Sequence, residues 1–105
     1  MTIDSHQHFW VVNDTDYPWM EGLDAIRRDF QPSDLFPLLH TGGLDGCVAV
    51  QARQMVVETE WLLALSEENE WIRGVVGWVP LCENAGEPYL ERFSPHPKLV
   101  GVRHV

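Results

Sequence analysis

Two histidines near the amino end of the chain have the spacing of a metal-binding pair. His6 and His8 follow Ile3 and Asp4 in a segment that reads as a short strand. Side chains alternate along a strand, so the two imidazoles are expected on the same face. Neutral imidazoles side by side suit zinc and similar divalent metals. Alternatively, the two histidines are only the polar end of a strand. The apolar residue that begins the strand, the aspartate after it and Phe9-Trp10 after the pair favour metal ligation.

The elements that would position this pair are strands and helices in alternation. Short apolar runs are typical of strands buried on both faces of a parallel sheet. Strands that alternate with helices predict a βαβαβαβ arrangement and therefore an α/β fold. Beyond the first strand, the pattern predicts strands over 46–51, 72–79 and 99–104 and helices over 33–41, 56–69 and 87–93.

Two of the predicted helices have a recognisable apolar stripe. In the helix over 33–41, Pro32 and Pro37 must lie before the helix or in its first turn. Its buried stripe is expected to be Leu35, Leu38 and Leu39. The buried stripe of the helix over 56–69 is expected to be Val57, Trp61, Ala64 and Leu65. The solvent side of that helix is expected to carry Glu58, Glu60, Glu67 and Glu68.

Polar or aromatic residues stand at the ends of the predicted strands. The first strand finishes at the histidine pair, the second at Gln51, the third at Trp78 and the fourth at Arg103 and His104. In a β/α barrel the carboxyl ends of the strands build the active site. The alternative is that strand ends are simply wetter than strand middles, which explains Arg103 and His104 less well than the others. The pattern therefore predicts one rim on which these side chains converge.

A long loop over 11–31 separates the first strand from the first helix. Loops of this length in a compact domain are usually functional or disordered. Its segment Tyr17-Pro18-Trp19 is expected either to form an aromatic wall over the site or to pack the loop onto the barrel. The residues of the loop favour neither of these two interpretations over the other.

Composition narrows the classes of function. The chain has 105 residues, 45% of them hydrophobic, with five tryptophans, which is ample for a globular core. A formal net charge of -9 disfavours a nucleic-acid or anionic-membrane partner. Cys47 and Cys82 show no pairing pattern and are expected to be reduced thiols. With no basic leader and no apolar run long enough to span a membrane, a cytoplasmic protein with a true amino end is expected.

The motifs, taken in order, resemble one family along nearly the whole chain. Asp4-Ser5-His6-Gln7-His8-Phe9-Trp10 resembles the opening of the amidohydrolase superfamily's sugar-lactonase branch, of L-fuconolactonase and L-rhamnono-lactonase type. Later segments resemble landmarks of the same branch, and these are Tyr17-Pro18-Trp19, Val50-Gln51-Ala52, Glu58-Thr59-Glu60-Trp61-Leu62, Ile72-Arg73-Gly74-Val75-Val76-Gly77-Trp78-Val79 and Gly101-Val102-Arg103-His104-Val105. This match is much more specific than a His-x-His motif alone, which phosphatases and nucleases on related barrels also carry.

The resemblance implies a (β/α)8 TIM barrel of which only the first half is present. Such a barrel takes about 250 residues and eight strands. Residues 1–105 are therefore expected to be the amino-terminal part of a single domain that is truncated at its carboxyl end. The general-base Asp and the later ligands are expected in the missing half. The fragment alone is expected to be inactive.

The implied reaction is hydrolysis of a sugar lactone to its aldonic acid. His6 and His8 would hold a divalent metal, zinc being the expected one, which activates water and polarises a carbonyl. In relatives that work without metal, the two histidines would contact the substrate instead. Arg103 would bind a substrate oxygen, and the expected substrate-binding set is completed by Trp10, Tyr17, Gln51, Trp78 and His104. The expected partner is the small lactone, with a homo-oligomer left open.

Two other functions remain open at this point. Another His-x-His barrel hydrolase would cleave an amide or a phosphoester, with extra His and Asp ligands from later strands. A non-catalytic half-barrel would instead assemble with a partner to close its sheet. The first is an enzyme of a different substrate class and the second is not an enzyme.

Overall fold

The computed structural model of the protein describes residues 1–11, 29–81 and 86–103. Two predicted site residues, Tyr17 and His104, lie outside these ranges, as do Cys82 and most of the predicted loop over 11–31. The two ends of that loop are joined, because Trp10 and Phe30 exchange backbone N–H···O bonds of 2.8 Å in each direction.

The described chain is a four-stranded parallel sheet with helices between the strands. Neighbouring strands in the sequence are neighbours in the sheet, in the order β1-β2-β3-β4, and every pairing is parallel. The predicted α/β fold class is confirmed. The elements are β1 Ile3–Gln7, α1 Pro32–Thr41, β2 Gly46–Val50, α2 Val56–Glu68, β3 Ile72–Gly77, α3 Gly86–Phe93 and β4 Leu99–Val102.

The core lies between the sheet and its helices. Each helix contributes at least one buried apolar side chain, and β2 and β3 contribute most of the strand side. The buried cluster is Phe9, Leu39, Cys47, Ala49, Leu62, Leu63, Ile72, Val75, Val79 and Phe93. In the part of the chain that the structure describes, no helix is both long and apolar enough to cross a membrane.

The sequence-based account of α1 was wrong in two details. Pro37 lies inside the helix, as its sixth residue, and not before it or in its first turn. Proline has no N–H, so the helix lacks one of its internal hydrogen bonds there. Leu38 is 68% exposed, and the buried leucine of this helix is Leu39.

The predicted buried stripe of α2 was wrong for Val57 and Ala64, which are exposed. Its other members, Trp61 and Leu65, are partly buried and pack against the core. Val57 is 48% exposed, whereas two polar residues in the first turn of the helix, Glu58 and Thr59, are fully buried. The complete buried set of this helix is Glu58, Thr59, Leu62, Leu63 and Ser66. The prediction assumed that the buried face of α2 is apolar throughout. Part of that face consists of polar side chains that are buried because they are hydrogen-bonded.

Cys47 is a buried free thiol on β2. Its side chain has no exposed surface, and burial raises the pKa of the thiol to about 12. Since the thiolate is the reactive form, Cys47 is a core residue with little reactivity near neutral pH. The structure thus agrees with the expectation of a reduced thiol at this position.

Lys98 directly precedes β4, and its side chain binds the junction between α2 and β3. Its Nζ donates to the carbonyl oxygens of Ser66 at 2.9 Å, Glu70 at 3.4 Å and Ile72 at 2.6 Å. The last carbonyls of a helix have no partner within the helix, and a cation there also complements the helix dipole. Lys98 therefore stabilises the junction between α2 and β3.

Replacing Lys98 by methionine should lower the free energy of unfolding by about 1.5–3 kcal/mol, the usual range for a hydrogen bond to a charged group. Urea unfolding measures the change. Arg92→Met is the matched control, because it also removes one positive charge but breaks an exposed ion pair with Glu60. That pair should contribute less than about 1 kcal/mol. Equal losses in the two variants would contradict the role assigned to Lys98.

Candidate active site

Four of the predicted site residues directly follow strands. His8 follows β1, Gln51 follows β2, Trp78 follows β3 and Arg103 follows β4, while His6 lies within the last residues of β1. Parallel strands end at the same edge of a sheet, so these residues share one edge, which we call the rim. The strand ends are tied together there, because Gln51 N donates to Val76 O at 2.8 Å and Arg103 N to Gly77 O at 3.0 Å.

The two histidines of the rim face each other. Their Nε2 atoms are 3.1 Å apart, and the ring planes lie at 78°. Two nitrogens bound to one zinc at about 2.0–2.1 Å would be about 2.8–3.4 Å apart for bond angles from about 90° to about 109°. The pair in this chain therefore fits two ligands of one metal ion.

A backbone hydrogen bond fixes the tautomer of neutral His8. Its Nδ1 lies 2.9 Å from the carbonyl oxygen of Val50, and since a carbonyl only accepts, Nδ1 carries the hydrogen. The lone pair of the neutral ring is then on Nε2, the atom that faces His6. Burial lowers the pKa of His8, and the nearby charges of His6 and Arg103 act in the same direction, whereas the bond to Val50 opposes them. A neutral ring held by a backbone carbonyl is the usual state of a metal-ligating histidine.

Asp4 supports the backbone at His6. The register between β1 and β2 shifts between Asp4 and Gln7, a stretch that includes His6. The amide N–H of His6 donates to Asp4 Oδ1 at 3.0 Å, and the side-chain amide of Gln7 donates to Asp4 Oδ2. Irregularities of this kind redirect side chains at the ends of strands. Both carboxylate oxygens of Asp4 therefore accept hydrogen bonds that stabilise the irregular part of β1.

Gln51 orients Arg103 across the sheet. Arg103 Nε donates to Gln51 Oε1 at 2.7 Å, and Arg103 Nη2 donates to the Gln51 backbone oxygen at 3.0 Å. Gln51 has no exposed surface and also donates from Nε2 to Arg53 O at 3.1 Å. A guanidinium has five N–H donors, and the three not used here make no hydrogen bond to any described residue. The geometry assigns Gln51 to holding Arg103, while direct contact with a substrate stays a prediction for both.

Thr59, in the first turn of α2, fixes the backbone of Trp78. The hydroxyl of Thr59 accepts from Trp78 N at 2.8 Å and donates to Trp78 O at 2.7 Å. Threonine thus satisfies both backbone groups of Trp78, the residue that directly follows β3. The hydroxyl of Thr59 can be buried because these two hydrogen bonds satisfy it.

Glu58 holds the residues that follow Gln51. Its Oε2 accepts from the backbone N–H of Ala52 at 3.0 Å and of Arg53 at 2.7 Å. Burial raises the pKa of the carboxyl, against the effect of these two donors and of the positive charges of Arg53 and Arg103. Glu58 was predicted on the solvent side of the helix, and that prediction was wrong. Its position within the motif Glu58-Thr59-Glu60-Trp61-Leu62 was the one signal that could have revealed it.

The remaining predicted residues have different placements. Trp10 is 8% exposed, and its ring packs edge-on against Phe30 with ring centres 5.0 Å apart. Trp78 is half-buried at the rim. Tyr17 and His104 lie outside the described residues. Contact of these four side chains with a substrate stays a prediction.

The histidine pair is not a complete metal site within residues 1–11, 29–81 and 86–103. No group of three or more His, Cys, Asp or Glu side chains that could hold a metal ion occurs there. Protein zinc sites use three or four protein ligands. Further ligands would therefore have to come from residues other than the described ones.

Among curated proteins, the chain is similar in sequence to two sugar lactonases. No family model matches it. L-fucono-1,5-lactonase of Burkholderia multivorans is 43% identical over 108 residues, which cover 99% of this chain and 35% of that protein. L-fucono-1,5-lactonase of Burkholderia ambifaria is 38% identical over 102 residues, which cover 96% of this chain and 35% of that protein. The chain spans about a third of the length of these relatives.

Among solved structures, the chain is similar in fold to amidohydrolases. A crystal structure of an amidohydrolase from Burkholderia multivorans with bound zinc is 41% identical, with a TM-score of 0.88. A second crystal form with bound HEPES is 40% identical, with a TM-score of 0.91. Each comparison covers 99% of this chain, and 37% and 36% of the solved chain respectively. The resemblance to the sugar-lactonase branch of the amidohydrolases is confirmed for this stretch of sequence.

The contact between Gly77 and Thr59 allows a direct test of the rim. A Cβ on Gly77 would lie 2.7 Å from Thr59 Cγ2 and 2.8 Å from Thr59 Oγ1, so Thr59 would have to move away from Trp78. Gly77→Ala should therefore lower the free energy of unfolding by about 1–3 kcal/mol, as overpacking does. Chemical denaturation gives the value.

Gly101→Ala in β4 is the matched control for that substitution. A Cβ at Gly101 would meet Val76 Cγ2 at 4.0 Å, an ordinary contact. We expect a change within about 0.5 kcal/mol, or a slight gain from the less flexible unfolded chain. A Gly77→Ala protein as stable as Gly101→Ala would show that Thr59 does not constrain Trp78.

Proposed function

We propose that this chain, which resembles the amidohydrolases along its whole length, is part of a hydrolase that opens sugar lactones. L-fucono-1,5-lactone is the first candidate substrate, because both curated relatives carry the name of the enzyme that acts on it. The reaction adds water to the lactone carbonyl carbon and breaks the bond from that carbon to the ring oxygen. The ring oxygen leaves as a hydroxyl group, and the product is the aldonic acid.

The observation that carries the proposal is the arrangement of the histidine pair and Arg103 on one rim. His6 and His8 present two ring nitrogens 3.1 Å apart, and Arg103 is held by Gln51 through two hydrogen bonds at the same edge of the sheet. A lactone offers a carbonyl and several hydroxyl oxygens. The N–H donors of Arg103 that make no hydrogen bond to a described residue would bind such oxygens, since a guanidinium presents its donors in a planar fork.

His6 and His8 would be two of the ligands of a divalent metal. The fit rests on the separation of their Nε2 atoms and on the Val50 carbonyl that leaves the lone pair of His8 on Nε2. Bound zinc is present in a solved relative. Such a metal supplies an activated water and polarises a carbonyl. The residues of this chain orient the two rings, fix one tautomer and place a cation beside the substrate.

We infer that residues 1–105 are the amino-terminal part of one barrel domain. Val48 on β2 and Val76 on β3 alternate with the side chains that face the helices, and both are only half-buried. Val100 on β4 is 63% exposed. Further strands beside β4 would cover these side chains and supply the remaining ligands and the general base.

The domain proposal predicts the coding sequence beyond Val105. The reading frame should continue for roughly the remainder of a barrel of about 250 residues, with a His and an Asp at the ends of later strands. Sequencing the gene past the codon for Val105 tests this. A stop codon directly after Val105 in the native gene would remove the proposal, and the chain would then need a partner to close its sheet.

The metal proposal predicts that the complete protein holds zinc through the histidine pair. His6→Ala and His8→Ala should each lower bound zinc at least about tenfold and abolish lactone opening, since each removes a metal ligand. Elemental analysis measures the metal, and base consumption at constant pH measures hydrolysis. His40→Ala is the control, because His40 is exposed in the last turn of α1.

The results separate the alternatives. Unchanged zinc in both variants would refute metal binding by the pair, whatever the activity. Hydrolysis that survives removal of zinc would assign His6 and His8 to the substrate instead. Cleavage of amides or phosphoesters without lactone opening would refute the lactonase proposal.

A further inference from the structure

The first turn of α2 carries a carboxylate that the proposed reaction does not explain. Glu58 has no exposed surface, although carboxylates are rarely buried completely. It lies three residues after Met55, the residue that precedes the helix. A buried carboxylate is costly unless hydrogen bonds satisfy it. Its partners therefore indicate what it is for.

Those partners belong to the loop after β2 and not to α2. Glu58 Oε2 accepts from the backbone N–H groups of Ala52 and Arg53, at 3.0 and 2.7 Å. The amide of Glu58 itself donates to Met55 O, within the start of the helix. These two loop residues directly follow Gln51, where β2 has ended. The carboxylate thus fixes a short piece of chain that the sheet does not hold.

That piece of chain is connected to Arg103 by a continuous series of hydrogen bonds. Gln51 Nε2 donates to Arg53 O at 3.1 Å, and Gln51 Oε1 accepts from Arg103 Nε at 2.7 Å. The backbone oxygen of Gln51 accepts from Arg103 Nη2 at 3.0 Å. A shift of residues 52–53 would therefore move both acceptors that orient the guanidinium.

We propose that Glu58 is a positioning residue, which sets the orientation of Arg103 through residues 51–53 and thereby tunes substrate binding at the rim. The effect on substrate binding rests on the proposed function, whereas the effect on the orientation of Arg103 does not. A carboxylate that only stabilised the start of α2 would affect unfolding and leave Arg103 where it is.

Two variants weaken the carboxylate to different degrees. Within the described residues, Glu58 Oε1 accepts no hydrogen bond. In Glu58→Gln the amide nitrogen takes that position, and the amide oxygen keeps both backbone donors but loses its charge. Glu58→Met has a similar length and no acceptor. Charge-assisted bonds are roughly twice as strong as neutral ones, so the effect should be graded.

The experiment measures lactone kinetics in the complete protein. KM should rise about threefold in Glu58→Gln and at least about tenfold in Glu58→Met, with a smaller change in kcat. The reason is that weaker bonds to residues 52–53 let Arg103 move and so weaken its binding of substrate. Glu60→Gln is the matched control, since Glu60 lies on the same helix, is partly exposed and pairs with Arg92. Its KM should be unchanged.

A double-mutant cycle tests whether the effect passes through Arg103. In an Arg103→Met background, Glu58→Gln should raise KM by less than about 1.5-fold, because the group it positions is gone. An equal rise with and without Arg103 would refute the inference. So would a lower unfolding midpoint with KM unchanged.

A second readout does not need the reaction. In protein labelled with ¹⁵N at arginine, the Nε–H signal of Arg103 is assigned by its loss in Arg103→Met. Its exchange with solvent should be slow in the parent and several-fold faster in Glu58→Gln, but not in Glu60→Gln. Unchanged exchange in Glu58→Gln would overturn the inference even in a protein that opens no lactone. If Glu58→Met does not fold, Glu58→Gln alone carries both readouts.

Discussion

The candidate site depends on the direction of the strands. Two parallel neighbours can follow each other in the chain only if the chain crosses back between them. Here a helix lies in each of the three crossings. Every strand then ends at the same edge. The sheet order β1-β2-β3-β4 therefore brings His8 and Arg103 to one rim although 94 residues separate them along the chain. The same crossing places the first turn of α2 beside that rim.

This second consequence explains the composition of α2. A helix on a sheet normally buries an apolar stripe. The first turn of α2 instead lies against strand ends, where backbone groups no longer have partners in the sheet. Glu58 and Thr59 supply those partners, to the loop after β2 and to Trp78. Further along the helix, Leu62 and Leu63 meet the sheet itself and the stripe is apolar again.

The features that follow from local pattern could be predicted, and those that follow from hydrogen bonding across elements could not. Apolar runs identified β2, β3 and β4, and the apolar residue before the histidine pair identified β1. The polar and aromatic residues at the strand ends identified the rim. The helix over 56–69 was found, but its face was not, because Glu58 looks like any exposed carboxylate in the sequence. Gln51 was expected to touch substrate, since nothing local shows that Arg103, 52 residues later, donates to it. Pro37 was predicted before the helix or in its first turn. A helix can include an internal proline, and lose one hydrogen bond, when its other contacts stabilise it.

Charge at the rim limits what this stretch of chain can do alone. The histidine pair is neutral when it binds metal, and Arg103 adds a positive charge nearby. Of the carboxylates close to these residues, Asp4 is occupied at His6 and Gln7, and Glu58 is buried against backbone amides. Neither is placed to offer an anionic ligand or to take a proton from water. A divalent ion held by the histidine pair would therefore take its remaining ligands from residues other than these, as in a site that the later strands of a barrel complete.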